Sequence, residues 1–316
     1  VSKRHKKKNP PPAPDTFKNQ LITLGLLGGL VLGIIFGFFI TRSLVPTPLS
    51  LSFAPAAGKI LQGEPVEFIL FGTSTPAAIR GAVLWQGRSA TPLHFAPYDG
   101  RLVAFYGVPL SQMPGTSTIT VTLRVGVTLS VDFQISTSPR LQEYLPVPAQ
   151  LGGNSVANQE NLVSVLSQEN ATLKAVTSTS TALWSEPFRF PVASPTVTDK
   201  FGITRDSGAV AITHEGTDFA AAPGTPVYAI NRGIVKIAEP FTAYGNTIVL
   251  DHGVGVQSLY MHLSEIDVKP GQVVQRGQLL GLSGETGYSE GPHLHLSIKI
   301  AGVSIDPLKF LALFKS

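Results

Sequence analysis

Residues 291–299 read GPHLHLSIK, and the reading of this run decides how the last third of the chain folds. It is apolar and strand-like, and His293 and His295 lie two residues apart within it. On a strand, that spacing projects both side chains from the same sheet face. Two imidazoles held side by side on a rigid strand suit a metal site. The flanking glycines and prolines, in 222–229 (APGTPVYA), 269–278 (KPGQVVQRGQ) and 283–292 (SGETGYSEGP), fit tight turns between short strands.

Working outward from 291–299, two further pieces gather around it: THEGTDFAA at 213–221 and LYMHLSE at 259–265. Five of the seven histidines fall between His214 and His295, about a quarter of the chain. His214 and Asp218 flank Gly216 with H-x-x-x-D spacing, so a bend between them can bring an imidazole and a carboxylate to one point. The chain has no cysteine, so a metal must be held by nitrogen and oxygen ligands, and disulfides play no part. Tetrahedral zinc accepts such ligands, and with three of them it lowers the pKa of a water in the fourth position to about 7. HEGTD begins like the helical H-E-x-x-H motif, but Asp218 stands where the second histidine would be and Gly216 opposes a helix. Glu215 therefore reads as a solvated neighbour. Proton-handling groups must come from His262 and whichever of His293 and His295 does not bind metal.

From about Phe201 to Pro307 the sequence resembles the lysostaphin-type zinc metallopeptidases. The resemblance runs through 213–239 (THEGTDFAAAPGTPVYAINRGIVKIAE) and 244–299 (YGNTIVLDHG to GPHLHLSIK), and ends near IDPLKF. It implies an open β-structure built from a duplicated hybrid motif, with His214, Asp218 and His295 as Zn2+ ligands and His262 and His293 as the catalytic pair. It further implies a substrate among the cross-linking or stem peptides of peptidoglycan. His252, in LDHG, reads as structural, whereas Tyr260 could line the site or fill the core. The loop GITRDSGAVAIT is short for the family, and Glu290 replaces a frequent threonine, which leaves the bond cleaved open.

The N-terminal half adds an anchor and a second module. Leu21–Ile40 is a run of 20 residues without a charge, long enough as a helix to span about 30 Å of hydrocarbon. Five Lys and Arg residues precede it in VSKRHKKK, and only Arg42 directly follows, so the positive-inside rule exports everything after Thr41. That cluster also accounts for the formal charge of +4, leaving a nearly neutral body and no case for a nucleic-acid partner. Gly25, Gly29, Gly33 and Gly37 form a stripe that suits helix self-association and a candidate homodimer.

Residues from about 51 to 136 then read as short strands separated by turns. The clearest follows Pro114-Gly115, where Ile119, Val121, Leu123 and Val125 alternate with Thr118, Thr120, Thr122 and Arg124. DGRLVAFYGVPL, PGTSTITVTL and TALWSEPFRFPV are also similar to upstream modules of the same family. A Ser-, Thr- and Gln-rich connector follows, with a helix expected over Asn158–Val176 and Leu162, Leu166, Leu173 and Val176 on one face. This helix could pack on either module or shield the site.

The expected architecture is mainly β. It comprises a basic cytoplasmic tail (1–20), a single N-terminal transmembrane helix (21–41), an Ig-like β-sandwich (42–136), a helical connector (137–188) and a C-terminal duplicated-hybrid-motif peptidase domain (189–316). The expected function is a zinc metalloendopeptidase of the bacterial cell wall, single-pass in the cytoplasmic (inner) membrane with its catalytic domain outside. The alternative is a non-catalytic envelope scaffold that activates cell-wall amidases, which the intact set of five site residues disfavours. Carrier domains share the KPGQVVQRGQLLG hairpin, but it lacks the lysine at the hairpin tip that they require.

Overall fold

The strand Arg101–Gly107 holds the molecule together because it is buried on both faces. Leu102, Ala104 and Tyr106 face one hydrophobic core, whereas Val103 and Phe105 face another. A run without polar interruption, RLVAFYG, is what a strand sandwiched between two cores requires.

In this computed structural model, residues 48–56, 59–139, 141–144, 153, 155–206 and 211–314 are described. The expected membrane span at 21–41 and the glycine stripe within it lie outside the described residues. Among the described residues, no helix is long and apolar enough to cross a membrane.

Two sheets face each other in the N-terminal part. One runs in the order Ser50–Ala54, Pro65–Phe71, Arg101–Gly107, Ala96–Tyr98. The other runs Ile60–Leu61, Thr128–Ser136, Gly115–Leu123, Ile79–Gln86, Ser89–Pro92. Phe68 and Phe133 meet between them at 5.6 Å. Ile119, Val121 and Leu123 are buried, as the alternation requires, but Val125 is 81% exposed. The strand ends at Leu123 and turns, so the period of two stops there. On its outer face Thr118 donates to Asp132 across the strand pair at 2.7 Å.

The C-terminal part is built on a ten-stranded sheet whose centre decides the chemistry. His293–Ile300 lies between Thr217–Ala220 and Val256–Ile266, antiparallel to both. The register sets His295 directly opposite Asp218 on one side and Met261 on the other. A three-stranded sheet, Gln142–Tyr144, Thr204–Asp206 and Ala211–Thr213, delivers His214 at its end. The two parts share a core in which Phe105 packs against Trp184, Phe310 and Phe314. Approach is close enough that a Cβ at Gly107 would stand 2.8 Å from Ile305 Cγ2.

The connector helix spans Val156–Lys174, capped by Ser155, whose side chain accepts from Asn158 N–H. It packs on the C-terminal part. Leu162 meets Ala243, and Leu173 meets Ile237, Val249, Leu259 and Met261. The expected Val176 lies beyond the helix end but joins the same cluster.

Candidate metal centre and cleft

Three side chains from three segments converge. Asp218 Oδ1 lies 2.8 Å from His295 Nδ1 and 3.1 Å from His214 Nε2, and the two imidazole nitrogens are 3.0 Å apart. Ligand atoms about 2.0–2.1 Å from a tetrahedral zinc would be about 3.3 Å apart. Two neutral imidazoles and one carboxylate, all buried, are a donor set that Zn2+ takes readily, so the residues fit the ion on chemistry and spacing.

Hydrogen bonds to the rest of the protein fix which nitrogen of each imidazole is free. A carbonyl oxygen can only accept, so His214 Nδ1–H donates to Lys200 O at 2.8 Å and leaves Nε2 for the metal. His295 is held the other way round. Ser297 Oγ–H donates to Glu215 O at 2.8 Å, so Oγ accepts from His295 Nε2–H at 2.9 Å and Nδ1 is left free. Asp218 turns its second oxygen, Oδ2, to Arg205 Nη2 at 3.2 Å. Arg205 also grips Asp199. Such outer partners orient ligands and tune the ion. Gly216 makes the bend possible, since a Cβ there would stand 2.3 Å from His295 Nε2.

His262 and His293 stand beside this trio. Their ring centroids are 4.8 Å apart, and His262 is 6.0 Å from His295. His262 Nδ1–H donates to Thr286 O and His293 Nδ1–H to Gly291 O, both at 2.8 Å. Each therefore presents an unprotonated Nε2, and that of His293 lies 3.8 Å from Asp218 Oδ1. His262 adopts φ +62°, a conformation rare outside glycine. The pairing of Val256–Ile266 with its neighbours shifts register on either side of it. This bulge breaks the period of two, so Tyr260 and His262 do not share a face. Tyr260 is fully buried and receives Ile230 N–H at its hydroxyl, which places it in the core.

Electrostatics match these protonation states. Burial pushes the Asp218 carboxyl up, but hydrogen bonds from His214 and His295 outweigh it and hold the group well below the usual carboxylate range. Burial, then the neighbouring His295 and His293, pull His262 down to about 3, against the Thr286 carbonyl. Burial also lowers His295, with Asp218 opposing. His252 sits apart, fully buried, between Arg232 O and Ser258 Oγ and edge-on to Phe188. Burial lowers it to about 4. Glu215 is exposed, with Oε2 bonded to Ser304 Oγ.

The cleft extends both ways from the trio. An open side of about 920 Å³ is lined by Asp218, His293, Glu143 and Glu290. The other side, about 440 Å³, lies under the connector helix and is lined by His214, His262, His295 and Lys299. Arg205, Asp199, Ser297 and Thr286 are the site's supporting residues that the sequence did not single out. Only the position of Ser297, two residues past His295, could have pointed to one of them.

The sequence signature of peptidase family M23 matches residues 212–307. Peptidoglycan DD-endopeptidase ShyA of Vibrio cholerae serotype O1 is 46% identical over 96 residues, covering 30% of this chain and 22% of that protein. Lysostaphin of Staphylococcus staphylolyticus is 44% identical over 104 residues, covering 31% and 22%. The match thus spans under a quarter of either relative's length. A crystal structure of a putative peptidase M23 from Pseudomonas aeruginosa is similar over 81% of this chain and 97% of that one, with TM-score 0.53 and 27% identity. That likeness reaches well outside residues 212–307.

Proposed function

We propose, on the match of residues 212–307 to the signature of peptidase family M23, that the chain is a zinc-dependent endopeptidase cleaving peptide bonds in peptidoglycan stem peptides or crossbridges. The observation that carries this reading is the convergence of His214 Nε2, Asp218 Oδ1 and His295 Nδ1, with two further imidazoles beside them and outside the ligand set. Held by those three atoms, Zn2+ supplies Lewis acidity toward the scissile carbonyl and toward a water.

The remaining work falls to His262 and His293. Each keeps Nδ1–H on a backbone carbonyl and offers Nε2 to the cleft, where one of the two takes the proton from the attacking water. In the protonated form the same nitrogen hydrogen-bonds the developing oxyanion or returns the proton to the leaving amine. The strained backbone of His262 fixes its ring at the price of local conformational energy. The substrate class draws support from the relatives named as peptidoglycan endopeptidases. The site draws support from its complete set of five residues, which favours catalysis over an amidase-activating scaffold.

The same reading places the protein in the bacterial cytoplasmic membrane, single-pass through residues 21–41, with the peptidase outside. The uncharged 20-residue run and the basic cluster before it support this. Gly25, Gly29, Gly33 and Gly37 offer a face for pairing two copies. The role assignment is tested by two variants. His295→Ala should lose zinc and hydrolysis together, whereas His262→Ala should keep zinc and lose hydrolysis. A His262→Ala protein that cleaves at near wild-type rate overturns the assignment.

A further inference from the structure

The cavity of about 440 Å³ beside the metal trio contains one buried cation that the reaction does not use. Lys299 is only 7% exposed and lines this cavity, yet among the described residues no hydrogen bond or ion pair holds its ammonium. It is the fourth of a stripe, His293, His295, Ser297 and Lys299, which the period of two sets on one face of the strand. The nearest acidic influence is Glu215, whose Oε2 is engaged by Ser304 Oγ at 2.7 Å. The rest of the wall is mixed, with Leu166 and Leu173 of the connector helix and Met261 beside Asn170 and Arg205, whose guanidinium is already held by Asp218 and Asp199.

An ammonium on a side chain this enclosed, with no protein partner, is free to pair with a ligand that enters the cavity. We propose that Lys299 is a specificity-determining residue that binds a free carboxylate of the substrate peptide in the arm of the cleft running from His295 toward Lys299. Four residue steps along the strand separate the two side chains, about 13 Å. An extended peptide lying along the strand thus carries the recognised carboxylate a few residues from the scissile amide. A neutral segment such as a run of glycines offers Lys299 nothing. Burial lowers the lysine's pKa while Glu215 opposes the fall, and an arriving carboxylate reinforces the protonated form. The proposal rests on the endopeptidase reading above, whose substrates include peptides with such free carboxylates.

The test uses the zinc-loaded full chain and purified crosslinked muropeptides, either native or with their free carboxylates converted to carboxamides. For the wild type, amidation should lower kcat/KM at least tenfold, mostly through KM. Lys299→Met should lower kcat/KM for the native substrate by a similar factor and leave the amidated substrate unaffected, so that the preference disappears. Calorimetric binding of both muropeptides to His262→Ala and to the His262→Ala/Lys299→Met double variant reads the same contact without turnover. If the wild type cleaves neither substrate, the endopeptidase reading fails while the binding arm still decides the role of Lys299. Equal rates or equal affinities for native and amidated muropeptides overturn the proposal, as does a Lys299→Met protein that keeps the wild-type preference.

Discussion

Arg205 Nη2 lies 3.2 Å from Asp218 Oδ2, the carboxylate oxygen turned away from the two ligand imidazoles. The guanidinium also holds Asp199, so one side chain pins both the ligand and the strand Val197–Asp199 beside it. Removing an outer partner of a metal ligand typically costs about 10–100-fold in metal affinity. Arg205→Met should weaken zinc binding by about that factor, measured by competition with a chelating dye, and should also lower the unfolding temperature of the metal-free protein, because Asp199 and Asp218 lose their shared cation.

Gly216 is needed for space. A Cβ there would meet His295 Nε2 at 2.3 Å and Leu296 O at 2.6 Å, and neither atom can retreat without breaking the bond to Ser297 or the sheet. Gly216→Ala should therefore lose zinc at stoichiometric loading. Metal analysis after gel filtration checks this, with wild-type far-UV circular dichroism as the control for folding.

Glu169 docks the connector helix. Its buried carboxylate accepts from the backbone N–H groups of Thr242, Ala243 and Tyr244 at 2.5–3.2 Å. Hydrogen bonds to a charged group contribute about 1.5–3 kcal/mol. Glu169→Gln replaces an oxygen acceptor with a donor facing donors and should destabilise the protein by about 2 kcal/mol. Denaturant unfolding reads the loss, and amide exchange at 242–244 should quicken.

Glu67, in the strand Pro65–Phe71, gives a pH-dependent prediction. Burial pushes its carboxyl from 4.5 up to about 6, with Arg101 opposing. The folded state thus holds the proton more tightly than the unfolded chain. Stability from this group is complete below about pH 4.5 and is lost as pH rises through about 6, with a ceiling of about 2 kcal/mol. Glu67→Gln should be more stable than wild type at pH 7.5 and show a flatter pH dependence between 4.5 and 6.5.

The pair of strand histidines was legible because chemistry and strand periodicity coincide in GPHLHLSIK: a spacing of two is a statement about one face, and both imidazoles come within 3.8 Å of Asp218 Oδ1, whereas which of them joins His214 and Asp218 as a ligand came only from the family resemblance. Periodicity fell short at Tyr260, which it left open between site and core: a bulge and the left-handed backbone of His262 turn the two positions apart in a way no local pattern marks. It also failed at Val125, because the turn comes two residues earlier than the alternation suggests. Arg205 and Asp199 act on Asp218 through contacts between separate strands, and the partners of His214 and His262 are backbone carbonyls, which any residue supplies. The helix periodicity was visible around Leu162 and Leu173, but its docking depends on Glu169, a charged residue on a face expected to be apolar.

The central claim is tested most directly by incubating the purified protein with isolated peptidoglycan, with added zinc or with a chelator, and identifying the released fragments by mass spectrometry. The account predicts peptide-bond cleavage that stops on chelation and returns on adding zinc. Stoichiometric zinc binding with no bond cut would contradict it.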